Sequence, residues 1–264
     1  KIPANTLPLD ANMQIMAKFE IGDGNFDIEV GVDPDYEALE MKVGSYINAE
    51  GKVVRDAADA VGIVFKMEAI GSDVPANYPV ALQGKTIAGY AVAIENVATG
   101  RQVLNNAAMS SLVTTDATVT NGTQATDALL TGIGEVAFMT TYNSWVNEHP
   151  LDGESLSSWY IPTVDQLGEF MGMLFKIGEV EPTGGQAFRE MPEFAFENGV
   201  MFDRDPIESV YYASCTVNGS KDISGVIINV DKTTKQVLDA KASSLKVTGS
   251  SQKALCRPMI TIFK

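Results

Sequence analysis

The stretch SWYIPTVDQLGEFMGMLF, residues 158–175, decides the fold of this chain. Its first part, residues 159–163, predicts the end of a buried strand that leads directly into a helix. Thr163 and Gln166 fit the capping box, in which two side chains satisfy the first unpaired N–H groups of a helix. Asp165 adds a negative charge to the first turn, where the helix dipole favours it.

Apolar residues recur along this stretch at helical spacing, so we expect them to form one buried face. They are Val164, Leu167, Met171, Leu174 and Phe175. Lys176 then predicts the last turn, and Gly178 predicts the residue after the helix end. Gly168 and Gly172 lie inside the predicted helix, where each costs about 1 kcal/mol relative to alanine. We therefore expect a neighbouring backbone, such as a sheet, to pack close to these two glycines.

The composition predicts a folded protein with a sizeable core. The chain has 264 residues, of which 45% are hydrophobic, enough for one large domain or for a domain with a small companion. Its net charge of −15 disfavours nucleic acid and anionic membrane surfaces as partners, because phosphates require Lys and Arg. No apolar run is long enough for a transmembrane helix. Because the first residue is Lys1, we expect that an export signal has been removed, and such a signal could carry a lipid anchor.

Two alternating segments near the N-terminus, 13–19 and 26–32, predict a β-hairpin around the turn Gly22-Asp23-Gly24-Asn25. Several carboxylates fall on or beside this hairpin. They are Asp23, Asp27, Glu29, Asp33 and Asp35. They lack the loop pattern with a terminal Glu that an EF-hand requires. We therefore expect a solvated hairpin face, with no metal ion and no other cofactor.

The rest of the chain alternates between short strand signals and helix signals. Strands are predicted at 41–46, 61–65, 78–82, 88–94, 210–217, 225–230, 236–238, 244–247 and 254–263. A second helix is predicted over 123–145, although Gly132 and Gly134 weaken its pattern. His149, the only histidine, follows this helix, and no partner can be named for it, so we expect a surface or loop residue. Two helices among many short strands indicate an α+β fold.

The chain has two cysteines, Cys215 and Cys256, and both lie in strand-like segments. If those strands are neighbours, a disulfide between them is feasible, and its closed loop would be worth about 3–4 kcal/mol in the chain-entropy model. Two buried thiols are the alternative. Two cysteines are too few to indicate the redox compartment.

The order of the segments carries more information than any one of them. In chain order they are VGSYINAEGKVV (43–54), VGIVFKM (61–67), YAVAIENV (90–97), WYIPTVDQLGEFM (159–171), VYYASCTVN (210–218), GVIINV (225–230) and ALCRPMITIF (254–263). This order resembles the C-type-lectin-like repeat domains of surface lipoproteins from gut-type Gram-negative anaerobes, a group that includes the Fibrobacter succinogenes major paralogous domain. The resemblance covers about residues 41–264. Its most specific pieces are the helix entry WYIPT and the final strand CRPMITIF.

The resemblance implies a C-type-lectin-like fold over residues 41–264, with two helices and several short, mostly antiparallel strands. Residues 1–40 fall outside it and would form an N-terminal β-hairpin or a small β module. It also implies that the strands of Cys215 and Cys256 are near neighbours, which favours the disulfide. Arg257 would be a structural anchor rather than a ligand contact.

Two departures limit what the resemblance implies about activity. Sugar-binding C-type lectins hold calcium with E-P-N or Q-P-D in a loop and W-N-D in a strand, and this chain contains none of the three. The formylglycine-generating enzymes resemble the same fold and use a reactive cysteine pair. A reactive thiolate needs a cationic, partly exposed setting. Cys215 has no basic residue before Lys221, whereas Cys256 has Lys253 and Arg257 nearby. Neither calcium-dependent sugar binding nor that catalysis is therefore expected.

The segment 179–208 is long, irregular and rich in Pro and Gly, and loops held by a rigid scaffold often carry binding function. We consider its aromatic and acidic residues as ligand contacts. They are Phe188, Glu190, Glu193, Phe194, Asp203 and Asp205. The alternative is a buried flap with a solvated acidic rim.

Three functions follow from these observations, in decreasing order of support. The first is a non-catalytic, exported protein of the cell surface, periplasm or outer membrane, an adhesin or binding module for a glycan or a host or cell-surface protein. The second is a structural, fimbria-like subunit of a surface assembly, joined by strand addition. The third is an enzyme, although we recognise none of the common catalytic motifs and name no catalytic residue. Paired carboxylates for glycoside hydrolysis would need coordinates to identify.

Overall fold

The computed structural model describes residues 15–22, 25–32, 39–97, 102–104, 121–133, 137–194, 202–204, 207–218, 222–234, 236–245 and 252–264. Its strands are β1 (Ile15–Gly22), β2 (Asn25–Val32), β3 (Tyr46–Ile47), β4 (Val53–Val54), β5 (Gly62–Lys66), β6 (Ile87–Ala93), β7 (Gln102–Leu104), β8 (Phe202–Arg204), β9 (Ile207–Val217), β10 (Ile223–Asp231), β11 (Val237–Leu245), β12 (Gln252–Ala254) and β13 (Met259–Phe263). Its α-helices are α1 (Val80–Gln83), α2 (Gly122–Ile133), α3 (Ala137–Glu148), α4 (Val164–Leu174) and α5 (Gln186–Arg189). The fold is therefore α+β, as the sequence predicts.

The strands form four antiparallel sheets. The largest has the order β13-β6-β5-β3-β4, and the next has the order β11-β10-β9-β8. The strands β1 and β2 form the predicted hairpin, with Gly22 opposite Asn25, while β7 pairs with β12. A single parallel bridge between Tyr212 and Leu255 connects the second sheet to the chain that leads into β13. The turn residues 23 and 24 and the acidic residues 33 and 35 lie outside the described residues.

Strand β6 separates two hydrophobic cores. All seven of its residues are buried, and alternate side chains point to opposite sides, so Ala91 and Ala93 pack in one core and Tyr90 and Val92 in the other. The stretch 159–161 alternates in the same way: Trp159 and Ile161 belong to the first core and Tyr160 to the second. The strand entry that begins the organising helix therefore contributes to both cores.

The capping box at the start of α4 is confirmed. Thr163 Oγ1 accepts from the backbone N–H of Gln166, and the Gln166 side chain accepts from the backbone N–H of Thr163. The helix ends earlier than expected, at Leu174, so Lys176 and Gly178 fall in the turn that follows.

The prediction that a backbone packs against the glycines of α4 is wrong. A Cβ at Gly168 would meet nothing within 4 Å, and one at Gly172 would meet only Ile177 Cδ1 at 3.9 Å. The buried face instead includes Phe170 and Met173 and leaves the glycine side open.

Several other predicted boundaries are corrected. The helix expected over 123–145 is two helices, α2 and α3, with residues 134–136 outside the described set. The strand expected over 78–82 is helical, because Pro75 and Pro79 fix φ at the starts of two helical turns. The strand expected over 41–46 begins only at Tyr46, and the two strands expected at 236–238 and 244–247 form one strand, β11.

The strand expected over 254–263 is split into β12 and β13 around Arg257. This side chain is 5% exposed, and it donates from Nε to Ala93 O at 2.8 Å and from one terminal nitrogen to Glu193 O at 2.8 Å. Its guanidinium also lies 5.6 Å from the centre of the Phe194 ring. Arg257 thus joins three segments, as a structural anchor would. Among the described residues, no helix has both the length and the apolar character needed to cross a membrane.

Candidate functional site

A small cavity opens to the surface where α3 ends. Its volume is about 210 Å³, below the range of drug-sized pockets, so it suits a single ring or one side chain. The lining residues come from the last turn of α3 and from the chain that leads to α4. They are Val146, His149, Pro150, Leu151, Gly153, Leu156, Ser157, Ser158 and Trp159.

The chain around the cavity is held in place by backbone contacts. Pro150 lies just after α3, and Asp152 donates its N–H to Ala49 O at 2.9 Å. Gly153 then approaches the backbone so closely that a Cβ would lie 2.7 Å from Glu50 O. Only glycine fits there without a shift, so the cavity wall is anchored to the turn between β3 and β4.

Three aromatic rings form a cluster beside the cavity. The rings of Trp145 and His149 stack with their centres 4.2 Å apart and their planes 16° apart. Trp159 meets Trp145 edge to face at 5.1 Å. Both tryptophans are buried, whereas the His149 side chain is 27% exposed. The cluster is therefore a rigid wall with one solvent-accessible ring.

Hydrogen bonds fix the orientation of every ring. Glu95 Oε1 lies 3.0 Å from Trp145 Nε1, which donates to it, and 3.1 Å from His149 Nε2. His149 Nδ1 lies 2.7 Å from Trp145 O, and Trp159 Nε1 donates to His149 O at 2.8 Å. Both nitrogens of His149 thus face oxygen atoms of the protein.

A second polar cluster is sealed inside the molecule around Asp73, which is 2% exposed. Its Oδ2 accepts from Tyr78 Oη at 2.6 Å and from Tyr90 Oη at 2.7 Å, and its Oδ1 accepts from Asn121 Nδ2 at 3.2 Å. Asn121 also caps α2, because its Oδ1 accepts from the Gln124 N–H at 3.0 Å. The carboxylate therefore connects the turn before α1 with β6 and with the start of α2.

The sealed cluster continues to α4 through hydroxyl groups. Thr261 Oγ1 lies 2.8 Å from Tyr78 Oη and 3.0 Å from Tyr160 Oη, which accepts from Gln166 Nε2 at 3.2 Å. Burial raises the pKa of Asp73, although its hydrogen bonds oppose this, and burial also raises the pKa values of both Tyr78 and Tyr90. These groups exchange hydrogen bonds with one another, so we assign the cluster a structural role.

The predicted disulfide is absent: Cys215 and Cys256 are buried thiols. Tyr212 bridges Leu255, but Cys215 lies farther along β9, where its N–H donates to Pro162 O at 2.8 Å. At Cys215, strand β9 therefore bonds to the chain at Pro162 and no longer to the chain at Leu255. Burial raises the pKa of Cys215 to about 12 and also raises that of Cys256. Neither thiol carries the thiolate that a nucleophile requires at neutral pH.

The structure separates the six loop residues that were considered as ligand contacts. Phe188 and Phe194 are buried with their ring centres 5.0 Å apart, and Phe194 also packs on Phe170. These two residues therefore form a buried flap, which was the alternative to a set of ligand contacts. Glu193 accepts from Tyr46 Oη through both carboxylate oxygens at 3.0 Å, and Glu190 is exposed. The side chain of Asp203 and all of Asp205 lie outside the described residues. The phenylalanines are therefore corrected to core residues.

Within the described part of the chain, no group of three or more His, Cys, Asp or Glu side chains could hold a metal ion. The chain has no match among known protein families, among curated proteins or among solved structures. The geometry of the cavity is therefore the basis for assigning a function.

No sequence pattern indicates the partners of His149. Trp145 ends the predicted helix and His149 lies four residues later. That spacing puts two residues on one face if the helix continues, and it could have indicated the stack. Glu95 could not have been found in this way, because it follows β6 and lies 50 residues before Trp145 in the chain.

Proposed function

We propose that this protein is a non-catalytic binding module and that its cavity at the end of α3 takes one sugar ring of a glycan. The observation that carries the proposal is the aromatic wall: His149 and Trp159 line a cavity that holds a single ring. Ligand sites typically combine such walls with a few polar groups that fix orientation. Ser158 supplies an exposed hydroxyl and a backbone carbonyl on the same wall.

Two further observations favour binding over chemistry at this site. The His149 nitrogens both contact protein oxygens, so the ring has no lone pair directed at a ligand. The two thiols are buried, with raised pKa values. The contacts of the His149 nitrogens hold the aromatic wall rigid, and a preformed binding site requires such rigidity.

The finer features of the proposal rest on the resemblance stated above. We propose a C-type-lectin-like fold and export to the cell surface as an adhesin, for which the order β13-β6-β5 and the anchoring Arg257 give support. Because the cavity contains no carboxylate among its lining residues, we expect sugar binding to be independent of calcium.

The test is a glycan-binding screen with and without a calcium chelator, followed by a blocking variant. Ser158 is exposed on the cavity wall, so Ser158→Trp should fill the cavity and lower affinity at least about tenfold while changing stability little. Val180→Trp is the matched control, because Val180 is 67% exposed and lies outside the cavity lining. Glycan binding that Ser158→Trp leaves unchanged would contradict the assignment of the site.

A second candidate is a subunit of a surface assembly. The hairpin β1–β2 forms a sheet of its own within the described residues, and isolated two-stranded hairpins are only marginally stable in water. Such a hairpin is suited to strand addition by a neighbouring subunit. Sedimentation of the purified chain with and without residues 1–40 distinguishes the two: concentration-dependent assembly that needs the hairpin favours the subunit, and a monomer favours the binding module.

A further inference from the structure

We infer that the ligand of the cavity presents a primary ammonium group, so that the sugar is an amino sugar. The inference rests on the proposed function and deepens it by naming the ligand class. Three properties of the site support it: all but one of the side-chain donors among its described lining residues are already used, its wall is aromatic, and its rim is acidic.

The side-chain donors that line the cavity are directed at the protein itself. Trp159 Nε1 donates to His149 O at 2.8 Å, and Ser157 Oγ donates to Ser158 O at 2.9 Å. The His149 nitrogens face Trp145 O and Glu95. The exposed hydroxyl of Ser158 is the remaining side-chain donor among the described lining residues.

The same wall contains carbonyl oxygens that can still accept a hydrogen bond. Each carbonyl oxygen has two lone pairs, and those of His149 and Ser158 each accept one of the hydrogen bonds above, so that a second lone pair remains. A ligand matched to this wall therefore supplies donors. An ammonium group has three donors and no acceptor, which makes it a better match than a carboxylate or a carbonyl group.

The aromatic wall favours the same charge. The face of a tryptophan ring attracts cations, by about 0.5–1 kcal/mol at exposed sites and about 2 kcal/mol or more where water is excluded. Trp159 lines the cavity and is 5% exposed, so a cation held against its ring would be close to the second case.

The rim adds negative charge. Glu148, Asp152 and Glu154 are exposed, and each is the sequence neighbour of a lining residue. None of the three side chains has an ion pair among the described residues. The nearby cation Lys85 donates from Nζ to the backbone oxygen of Glu154. Because they neighbour the lining residues, these carboxylates favour a cationic ligand at low ionic strength.

The experiment compares three small probes of the cavity by titration of tryptophan fluorescence. The two tryptophans of the chain both belong to the aromatic cluster, so their emission reports on this site. The probes are glucosamine, glucose and n-butylammonium. We expect glucosamine to bind at least about tenfold more tightly than glucose, and we expect the difference to shrink at high salt.

A charge variant tests the rim separately. Replacing all three acids, as Glu148→Gln, Asp152→Asn and Glu154→Gln, should lower glucosamine affinity about threefold to fivefold at low salt and leave glucose affinity unchanged. The matched control replaces three exposed acids that are not neighbours of lining residues, as Glu68→Gln, Glu179→Gln and Glu190→Gln. This control removes the same net charge and should leave the preference for glucosamine intact.

The outcomes separate this inference from the proposed function. Equal binding of glucose and glucosamine would overturn the inference and leave sugar binding in place. Binding of n-butylammonium as tight as that of glucosamine would support the ammonium site but overturn the sugar assignment, because a lysine side chain would then serve as well. Binding of no probe, at concentrations where sugar monomers bind lectin-like sites, would overturn both.

Discussion

Asp73 and Glu95 have similar partners and opposite surroundings. Each carboxylate accepts from the polar edges of aromatic side chains, Asp73 from two tyrosines and Glu95 from a tryptophan and the histidine. Asp73 is 2% exposed, whereas the side chain of Glu95 is 55% exposed. The first cluster lies between secondary structure elements, and the second lies beside a cavity that opens to water.

The comparison shows that burial, rather than the type of residue, distinguishes scaffold from site. A buried carboxylate with unsatisfied donors around it would be costly, so a sealed cluster must be complete within the protein. An open cluster can exchange water for a ligand at its edge. We therefore expect changes in the Asp73 cluster to alter folding and changes in the Glu95 cluster to alter binding.

The largest expected effect comes from Asp73→Ala. The change leaves the donors of Tyr78, Tyr90 and Asn121 without their acceptor in the interior, and we expect a loss of about 3–4 kcal/mol in the free energy of unfolding. Denaturant unfolding measures it. Glu95→Ala is the comparison, with an expected loss below about 1 kcal/mol because the side chain is half exposed. Equal losses in the two variants would show that both clusters are structural.

A smaller effect on stability distinguishes Gly122, which is closely packed, from Gly168, which has open space beside it. A Cβ at Gly122 would lie 2.2 Å from Tyr160 Cδ2 and 2.7 Å from Gln166 Oε1, both in the sealed cluster. We expect Gly122→Ala to cost about 2–3 kcal/mol through overpacking. Gly168→Ala should instead stabilise the protein by about 0.5–1 kcal/mol, because a Cβ there meets nothing within 4 Å and alanine favours the helix. Thermal unfolding of both variants provides the test, and destabilisation by Gly168→Ala would reveal a close neighbour of α4.

The smallest expected effect is a pH dependence of stability at Asp73. Burial raises the pKa of its carboxyl in the folded protein above the ordinary value of 3.8. The stability that its proton contributes is therefore complete below about pH 3.8 and is lost as pH rises through the folded-state pKa. Relative to Asp73→Asn, which does not titrate, the native protein should lose free energy of unfolding as pH rises across that window. A difference that grows with pH would mean that hydrogen bonding to the carboxylate outweighs burial.

Local signals in the sequence predicted the elements that local interactions determine. The capping box of Thr163 and Gln166, the hairpin β1–β2 and the strands β5 and β6 are all present. Errors arose where the deciding interaction is tertiary. Nothing near Gly168 in the chain indicates that its side of α4 is open, and the splitting of the last strand follows from contacts of Arg257 with Ala93 and Glu193.

The candidate site was harder to predict than the fold. The length and the aromatic residues of the 179–208 segment favour a binding loop. Phe188 and Phe194 are nevertheless buried against α4 and Arg257. The cavity lies instead in the short stretch before the organising helix, where Trp159 had been assigned only to the core. Its connection to His149 and Glu95 depends on long-range packing, for which a single sequence has no signal.

The position of β13 has a consequence for how the chain reaches this structure. The last strand pairs with β6, and the backbones of Lys264 and Thr86 exchange hydrogen bonds at 2.9 Å, so the C-terminus closes a sheet begun in the first third of the domain. Both cores remain open along β6 until β13 has been synthesised. Contacts of such long sequence separation form slowly, and the unfinished sheet exposes an apolar edge meanwhile. The sheet therefore forms only after β13 has been synthesised, and its apolar edge depends on protection from aggregation until then.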